Sequence, residues 1–503
     1  MVDDHVYGSL NDDVGGFRRR SVLKTAAGTG LVTGVSGCLG GGGESDSTSN
    51  AEPIPDEVPE EDVTVKIAAD SNFKESQQAV QESLRKRGGL PESVSIEFQA
   101  GSFTTGDRQT KYQQLLNANQ ETPTLLMLDN GWTIPFIARN QIQNLSQSLP
   151  SSMTDRVTSD YVQTMVQTAT GPEGDLYGIP LFADFPTIQY RKDLLRQAGY
   201  SDSDFSTWAT DPLTWSKFSS IIKDAMDETG KRGFLWQGKA YIGLACCDFV
   251  EFMGSWGGSY FGAFENLFGP VGDRPITVTE ESVINSLRMM RTFVHGSSDS
   301  ESLSDYEQIS PADVASYTEE PSRKPFTNGN AIALRNWPYS IVINGKEKNH
   351  GSDLGVMPMP YSVPASESKY GPEIGGSTAA LGGWHLCMNP NASKTKKKAA
   401  LQVLKALQTD DVRVDLFEIG GWIPPIPDLI STDRTKQLEP VGRYVDALQV
   451  ASKNAVPRPV TPVWSAQETQ VAKEVNATLR QQKSPSKAMS DLEGALKAIE
   501  QQG

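Results

Sequence analysis

The sequence predicts an α/β fold built on parallel strands, and three observations carry that prediction. Short apolar runs such as 63–69 (VTVKIAA) and 122–132 (TPTLLMLDNGW) read as buried strands. Stretches with apolar residues at helical spacing lie between such runs, as in 213–230. The two kinds of segment alternate, which is the pattern of strands joined by crossover helices, and such sheets gather ligands beyond their strand C-termini.

Taken in order, 63–69 is the first strand, and 76–87 has helix composition that Gly88-Gly89 ends. Residues 93–100 (SVSIEFQA) form a second strand, and 110–118 a helix with Tyr112, Leu115 and Leu116 on one face. The third strand runs into a loop at Asp129. Asp129 and Trp132 stand where such a sheet holds its ligand, with a helix-capping Asp and a core Trp as the ordinary alternative. Residues 175–200 read as a strand or two and a helix ending at Gly199. Thr214 can cap the next helix, whose apolar face is Phe218, Ile221, Ile222, Ala225 and Met226. Helices at 279–294, with Val283, Leu287, Met290 and Val294 inward, at 394–407 and across 469–499 complete the set; there is no internal repeat.

A chain of 503 residues is long enough for about two to four domains. Its net charge is −16, and the acids and bases of the first 37 residues balance, so the body carries the whole excess. Such a surface repels polyphosphate backbones, which argues against nucleic acid as a partner. No apolar run reaches the length of a membrane-spanning helix. The cysteines are Cys38, the adjacent Cys246 and Cys247, and Cys387, with no metal-ligand spacing. Adjacent cysteines seldom bond to each other, so two buried thiols are expected, with a link from Cys387 to one of them left open. No histidine pair at helical spacing, phosphate-binding loop or nucleophile elbow is present. The sequence therefore predicts no enzyme, metal or cofactor. Three Asn-X-Ser/Thr sequons, at Asn144, Asn391 and Asn476, are near the chance number.

The N-terminus holds a more pointed signal. Arg19-Arg20-Ser21-Val22-Leu23-Lys24 is a twin-arginine pattern, and a weakly apolar stretch follows it to Gly37. Val35-Ser36-Gly37-Cys38 then resembles a lipoprotein box, in which cleavage before the cysteine leaves its thiol to carry a lipid. The expectation is a signal over 1–37 that exports the folded chain, and a lipid on Cys38 that anchors it to the outer face of the cytoplasmic membrane. Residues 38–62, rich in Gly, Ser, Pro and acids, read as a flexible acidic tether.

From Val63 to Ile499 the chain resembles the extracellular solute-binding proteins of ABC sugar importers. The segments that carry the resemblance occur in the family's order: PTLLMLDNGWTIPFIARNQIQNLS, DLYGIPLFADFPTIQYRKDLLRQAGY followed by LTWSKF, FTNGNAIALRNWPYS, LGVMPMP, ALGGWHLCMNPNAS and SPSKAMSDLEGALKAI. GFLWQGKAYIGLACCDFVEFM, NWPYS and LGGW look most like the trehalose/maltose-binding subgroup. The resemblance implies a two-lobed, periplasmic-binding-protein-like (Venus-flytrap) fold with each lobe discontinuous. Lobe one is expected at 63–183 and 356–430, and lobe two at 184–355 and 431–503. It also implies a monomer that binds a sugar between the lobes and delivers it to permease subunits driven by cytoplasmic ATPases.

Sugars present C–H-rich ring faces and a hydroxyl rim, so a sugar cleft pairs aromatic faces with carboxylates, amides and Arg. The resemblance assigns this work to Trp337 and Tyr339 of NWPYS, Gly383 and Trp384 of GGW, Asp129, Phe182 and Asp184 of LFADF, Arg458 and Trp422. Phe182 stands where the subgroup tends to have Tyr. Asp70, Asn72 and Glu75 compete for the place of a Glu that usually follows the first strand. Trp132 is expected to pack in the core. Two rival readings remain: a secreted glycoside hydrolase, which needs a carboxylate pair across the scissile bond, and a binding protein for a non-sugar solute.

Overall fold

The computed structural model describes residues 52–102 and 105–502. The twin-arginine motif, the lipoprotein box with Cys38 and the first part of the expected tether lie outside the described residues. The strands are β1 (Val63–Ala69), β2 (Val94–Ala100), β3 (Leu125–Asp129), β4 (Gly178–Asp184), β5 (Thr187–Arg191), β6 (Arg232–Leu235), β7 (Ala331–Asn336), β8 (Leu354–Met357), β9 (Ala379–Met388) and β10 (Ala455–Pro457). They form two sheets. The first has the order β10-β9-β3-β1-β2 with β4 paired on β9, and the second β6-β7-β5-β8. With helices around both, this is a two-lobed α/β fold.

The first sheet is mixed rather than parallel throughout. β1 runs parallel to β2 and β3, but β9 runs antiparallel to β3 and β4. The cause is topological: β1, β3 and β4 end at the cleft between the lobes, whereas β9 enters the sheet from that side and must run away from it. The segment 455–457, expected in lobe two, pairs instead with β9 of the first sheet. The predicted long helix at 469–499 is two helices, Trp464–Leu479 and Pro485–Glu500. The sequence explains the break, because Ser484 caps the second helix and Pro485 starts it, having no N–H to continue the first.

Each sheet carries its own core. Val65, Ile67, Leu126, Leu386 and Leu404 belong to one buried cluster. Trp215, Phe234, Trp236, Phe252, Phe293 and Leu492 belong to another, in which Trp215 stacks on Phe252 at 5.0 Å. A third cluster, with Ala183, Phe185, Leu334, Leu354, Leu381 and Phe417, seals the passage of the chain between sheets. Fully burying one large apolar side chain is worth about 1.5–3 kcal/mol, so these clusters make each lobe a stiff frame for the cleft.

The last part of the expected tether is not free. Ile54 is buried, and its N–H donates to the Ser148 carbonyl at 2.9 Å. Glu52 meets Lys394 at 2.6 Å, Glu57 meets Lys398 at 2.5 Å, and Asp56 pairs with Lys405. These acids complement the lysine-rich face of the helix Lys394–Leu407, and one apolar residue among them finds a pocket. Two of the sequons are also occupied otherwise: Asn144 caps the helix Leu145–Ser148, and the Asn476 amide donates to the Gly238 carbonyl at 2.6 Å.

Candidate functional site

A cleft of about 810 Å³, open solvent included, lies between the two sheets. Three of the strands that reach it end in or run onto an aspartate: Asp70 after β1, Asp129 at the end of β3 and Asp184 at the end of β4. Asp129 caps the helix Asn130–Ala138, accepting from the Gly131 N–H at 2.8 Å, so the strand passes straight into a helix with no loop. Asp129 also accepts from Arg458 Nη1 at 2.6 Å. Gly131 makes this pair fit, because a Cβ there would stand 2.6 Å from Arg458 Cδ. Asp70 caps the helix Ser71–Glu75 through the Phe73 N–H at 3.1 Å and lies 3.6 Å from Arg108 Nη1.

Asp184 differs from the other two. It is partly exposed to the cleft and has neither hydrogen bond nor ion pair to another described residue. Burial holds its carboxyl well above the ordinary carboxylate range, with Arg335 opposing and Asp129 and Asp70 adding to the rise. The Nε atoms of Arg108 and Arg458 are buried and likewise make no hydrogen bond among the described residues. The cleft thus offers one uncommitted polar group, the Asp184 carboxyl.

The aromatic surface comes from both lobes. On the first, Trp422 stacks on Phe73 at 3.8 Å and 7°, and Phe182 tilts against both. Trp384 meets Trp132 edge-on at 5.6 Å and lies under the Arg108 guanidinium at 4.4 Å. The pairing of β4 with β9 slips between Pro180 and Phe182, and Gly383 takes φ +119° opposite the slip. An irregularity of this kind re-aims side chains, here Phe182 and Trp384. On the second lobe, Trp337 lies between β7 and the short helix Tyr339–Asn344, and its N–H donates to Asn336 Oδ1 at 2.8 Å. Its ring rests over the Arg335 guanidinium at 4.5 Å. Arg335 is fully buried and held by Glu251 at 2.8 Å and Gln237 at 2.7 Å. Across the cleft the same ring touches Gly382, where a Cβ would stand 2.8 Å away. The Tyr339 hydroxyl donates to Glu320 Oε1 at 2.9 Å.

All of the residues named from sequence line this cleft: Trp337, Tyr339, Gly383, Trp384, Asp129, Phe182, Asp184, Arg458 and Trp422. Of the competitors after the first strand, Asp70 and Asn72 line it and Glu75 does not. Trp132 is core, as expected. The capping alternative for Asp129 holds, and the capping residue also lines the cleft.

Several lining residues escaped the sequence reading, namely Thr105, Arg108, Ile242, Glu319 and the pair Cys246 and Cys247. Arg108 sits in the first turns of the helix Thr105–Asn117, in a stretch without any motif. The cysteines were expected as buried thiols, and here they are joined to each other. They sit in a π-helical turn, Leu244–Asp248, whose wider winding turns both sulfurs to the same side. Cys387 is the remaining free cysteine among the described residues; it is buried, and burial raises its thiol pKa. The buried His385 is pushed down to about 3 by burial, so it stays neutral, with Thr133 Oγ1 2.7 Å from its Nδ1.

Residues 82–440 match the family of bacterial extracellular solute-binding proteins. A probable ABC transporter-binding protein of Deinococcus radiodurans is 26% identical over 88% of this chain and 94% of its own. The lactose-binding protein of Rhizobium radiobacter is 34% identical over a shorter stretch, 26% of this chain and 29% of its own. Among solved structures, maltose-bound MalE3 of T. maritima superposes with a TM-score of 0.71 at 24% identity, covering 87% of this chain and 99% of its own. The cyclic alpha-maltosyl-1,6-maltose binding protein of Arthrobacter globiformis gives 0.63 at 18% identity, covering 88% and 100%.

Proposed function

The chain belongs to the bacterial extracellular solute-binding protein family, and on that premise we propose that it is the sugar-capturing subunit of an ABC importer. It holds a disaccharide such as trehalose or maltose, or glucose, between its lobes and delivers it to a membrane permease. No bond is made or broken. One observation carries the reading: Trp337, Trp384 and Trp422 share a cleft with Asp70, Asp129 and Asp184. Ring faces of sugars pack on the indoles, and hydroxyls donate to the carboxylates. The uncommitted Asp184 is a group that a hydroxyl rim satisfies. The maltose held by the T. maritima relative agrees with this choice of ligand class.

A sugar touching Trp384 on lobe one and Trp337 on lobe two counts on both lobes, so binding favours the closed arrangement that the permease receives. The lobes are 63–183 with 356–430, and 184–355 with 431–503, apart from the strand at 455–457, which joins the first sheet, and Val356 and Met357, which complete β8 of the second. We assign export to the twin-arginine segment, anchorage to a lipid on Cys38, and the monomer as the working unit.

The test is a thermal-shift panel of maltose, trehalose, lactose and glucose, followed by calorimetry and analysis of the sugar recovered. A ligand that binds only the folded form raises the melting temperature, and it is expected back intact. Released monosaccharide would favour the hydrolase instead. A panel in which no sugar shifts the transition would overturn the sugar assignment.

A further inference from the structure

We propose that the Cys246–Cys247 disulfide is part of the ligand-contacting wall of the cleft, and that its oxidation state sets ligand affinity. The inference rests on the solute-binding reading above and adds to it a contact and a means of regulation.

Cys246 and Cys247 both line the cleft, and Cys247 Sγ lies 4.0 Å from Arg458 Nη2, beside the Asp129–Arg458 pair. A bond there contributes little to folding. Cross-links stabilise by shortening the unfolded chain's loops, and the effect grows with loop length. Adjacent residues close the shortest loop available, so the bond is a poor staple, and its position on the cleft points to another use. Bonded to each other, the sulfurs present a fixed, polarisable, apolar facet with no hydrogen-bond donor. Such a surface suits a C–H-rich sugar face, as thioether sulfur suits other apolar partners.

Reduction changes that facet. The thiolate of a dithiol attacks one Sγ, forms a mixed disulfide with it and releases the other cysteine sulfur. The reagent's second thiol then attacks the reagent's own first sulfur and releases the cysteine sulfur held in the mixed disulfide. The protein gains two electrons and two protons, and the reagent leaves as a cyclic disulfide. The two sulfurs, no longer bonded, must separate to a non-bonded distance of about 3.5 Å or more, and each becomes a weak donor.

The change also reaches Trp337. The π-helical turn that carries the cysteines ends at Asp248 and continues directly into the helix Phe249–Gly254, which holds Glu251. Asp248 lies 3.6 Å from Arg335 Nη1, and Glu251 accepts from Arg335 Nε at 2.8 Å. Arg335 in turn is the platform under Trp337. One short element therefore carries both cysteines at the cleft and fixes the base of the Trp337 indole.

The experiment uses the full chain and the sugar that the panel selects, with maltose and trehalose as first probes. Affinity is measured by calorimetry before and after treatment with a dithiol. Alkylation followed by mass spectrometry of the 246–247 peptide reports the redox state. The expected result is no alkylation before reduction, two alkyl groups after it, and affinity lower by about five-fold or more. By thermodynamic reciprocity, saturating sugar should make the bond harder to reduce by the same factor. That second measurement needs no variant; Cys246→Ser/Cys247→Ser provides a third if the double variant folds. Equal affinity in both states, or alkylation of the untreated protein, overturns this proposal and leaves sugar binding intact. No binding of any sugar by either form overturns the solute-binding reading and this proposal with it.

Discussion

Asp184→Asn should move affinity and stability in opposite directions. The substitution keeps the shape of the side chain and removes its titrating proton. In the free protein the carboxyl has no side-chain hydrogen bond or ion pair to a described residue, and burial, opposed by Arg335, holds its pKa well up. The proton that the folded state keeps makes it a neutral donor, and its bond to a sugar oxygen is worth about 0.5–1.5 kcal/mol. Exchanging that O–H for an amide costs at most one such bond, roughly a 2–12-fold rise in Kd. Stability should rise instead. The raised pKa means that the folded state keeps a proton the unfolded chain has released. Wild-type stability therefore falls as pH climbs from about 3.9 to the folded value, and each pH unit crossed costs about 1.4 kcal/mol. Asn has nothing to titrate, so the variant lacks that slope and is the more stable form at neutral pH. Calorimetry with the selected sugar and urea melts across pH measure the two effects. Unchanged affinity would refute Asp184 as a ligand contact, and a variant less stable at neutral pH would refute the account of its environment.

Four further outcomes are expected. Trp337→Ala should weaken sugar binding by about 1–3 kcal/mol with little loss of stability, since the ring is partly exposed. Trp384→Ala should also destabilise the fold by about 3–5 kcal/mol, because Trp384 packs on Trp132; calorimetry and urea melts separate the two effects. Burial pushes Glu468 up to about 8, Arg458 opposing and Asp129 adding, so wild-type stability should fall as pH rises from 4.5 to 8 and then level off. Glu468→Gln should flatten that fall, with the variant gaining most above pH 8; a parallel pH profile in urea melts would exclude the shift. Cys38→Ser should release the protein from the membrane fraction into the medium, and unchanged fractionation would reject the lipid anchor.

The elements most legible in the sequence were those whose signals are local. The helix Trp215–Thr229 could be read because Thr214 caps it, its apolar residues recur at helical spacing, and Gly230 closes it with φ +66°. The aromatic and acidic lining was legible because NWPYS, LGGW and LFADF are distinctive words carried by a resemblance. Arg108 and Glu319 were not, because each reaches the cleft from the first turn or two of a helix in unremarkable sequence, and only the tertiary fold brings them there. The antiparallel course of β9 and the transfer of 455–457 to the first sheet depend on how the chain returns between lobes, which no local pattern encodes. The bond between Cys246 and Cys247 was not legible, because adjacent cysteines seldom bond and no residue pattern announces the π-helical turn that holds them.

The acidic strap also ties the lysine-rich face of the helix Lys394–Leu407 to the salt around it. The strap's ion pairs are exposed, and the screening length shrinks to about 3 Å in molar salt. Loosening the strap in salt would bare Lys394, Lys398 and Lys405, so that face turns from a neutralised surface into a basic one as ionic strength rises.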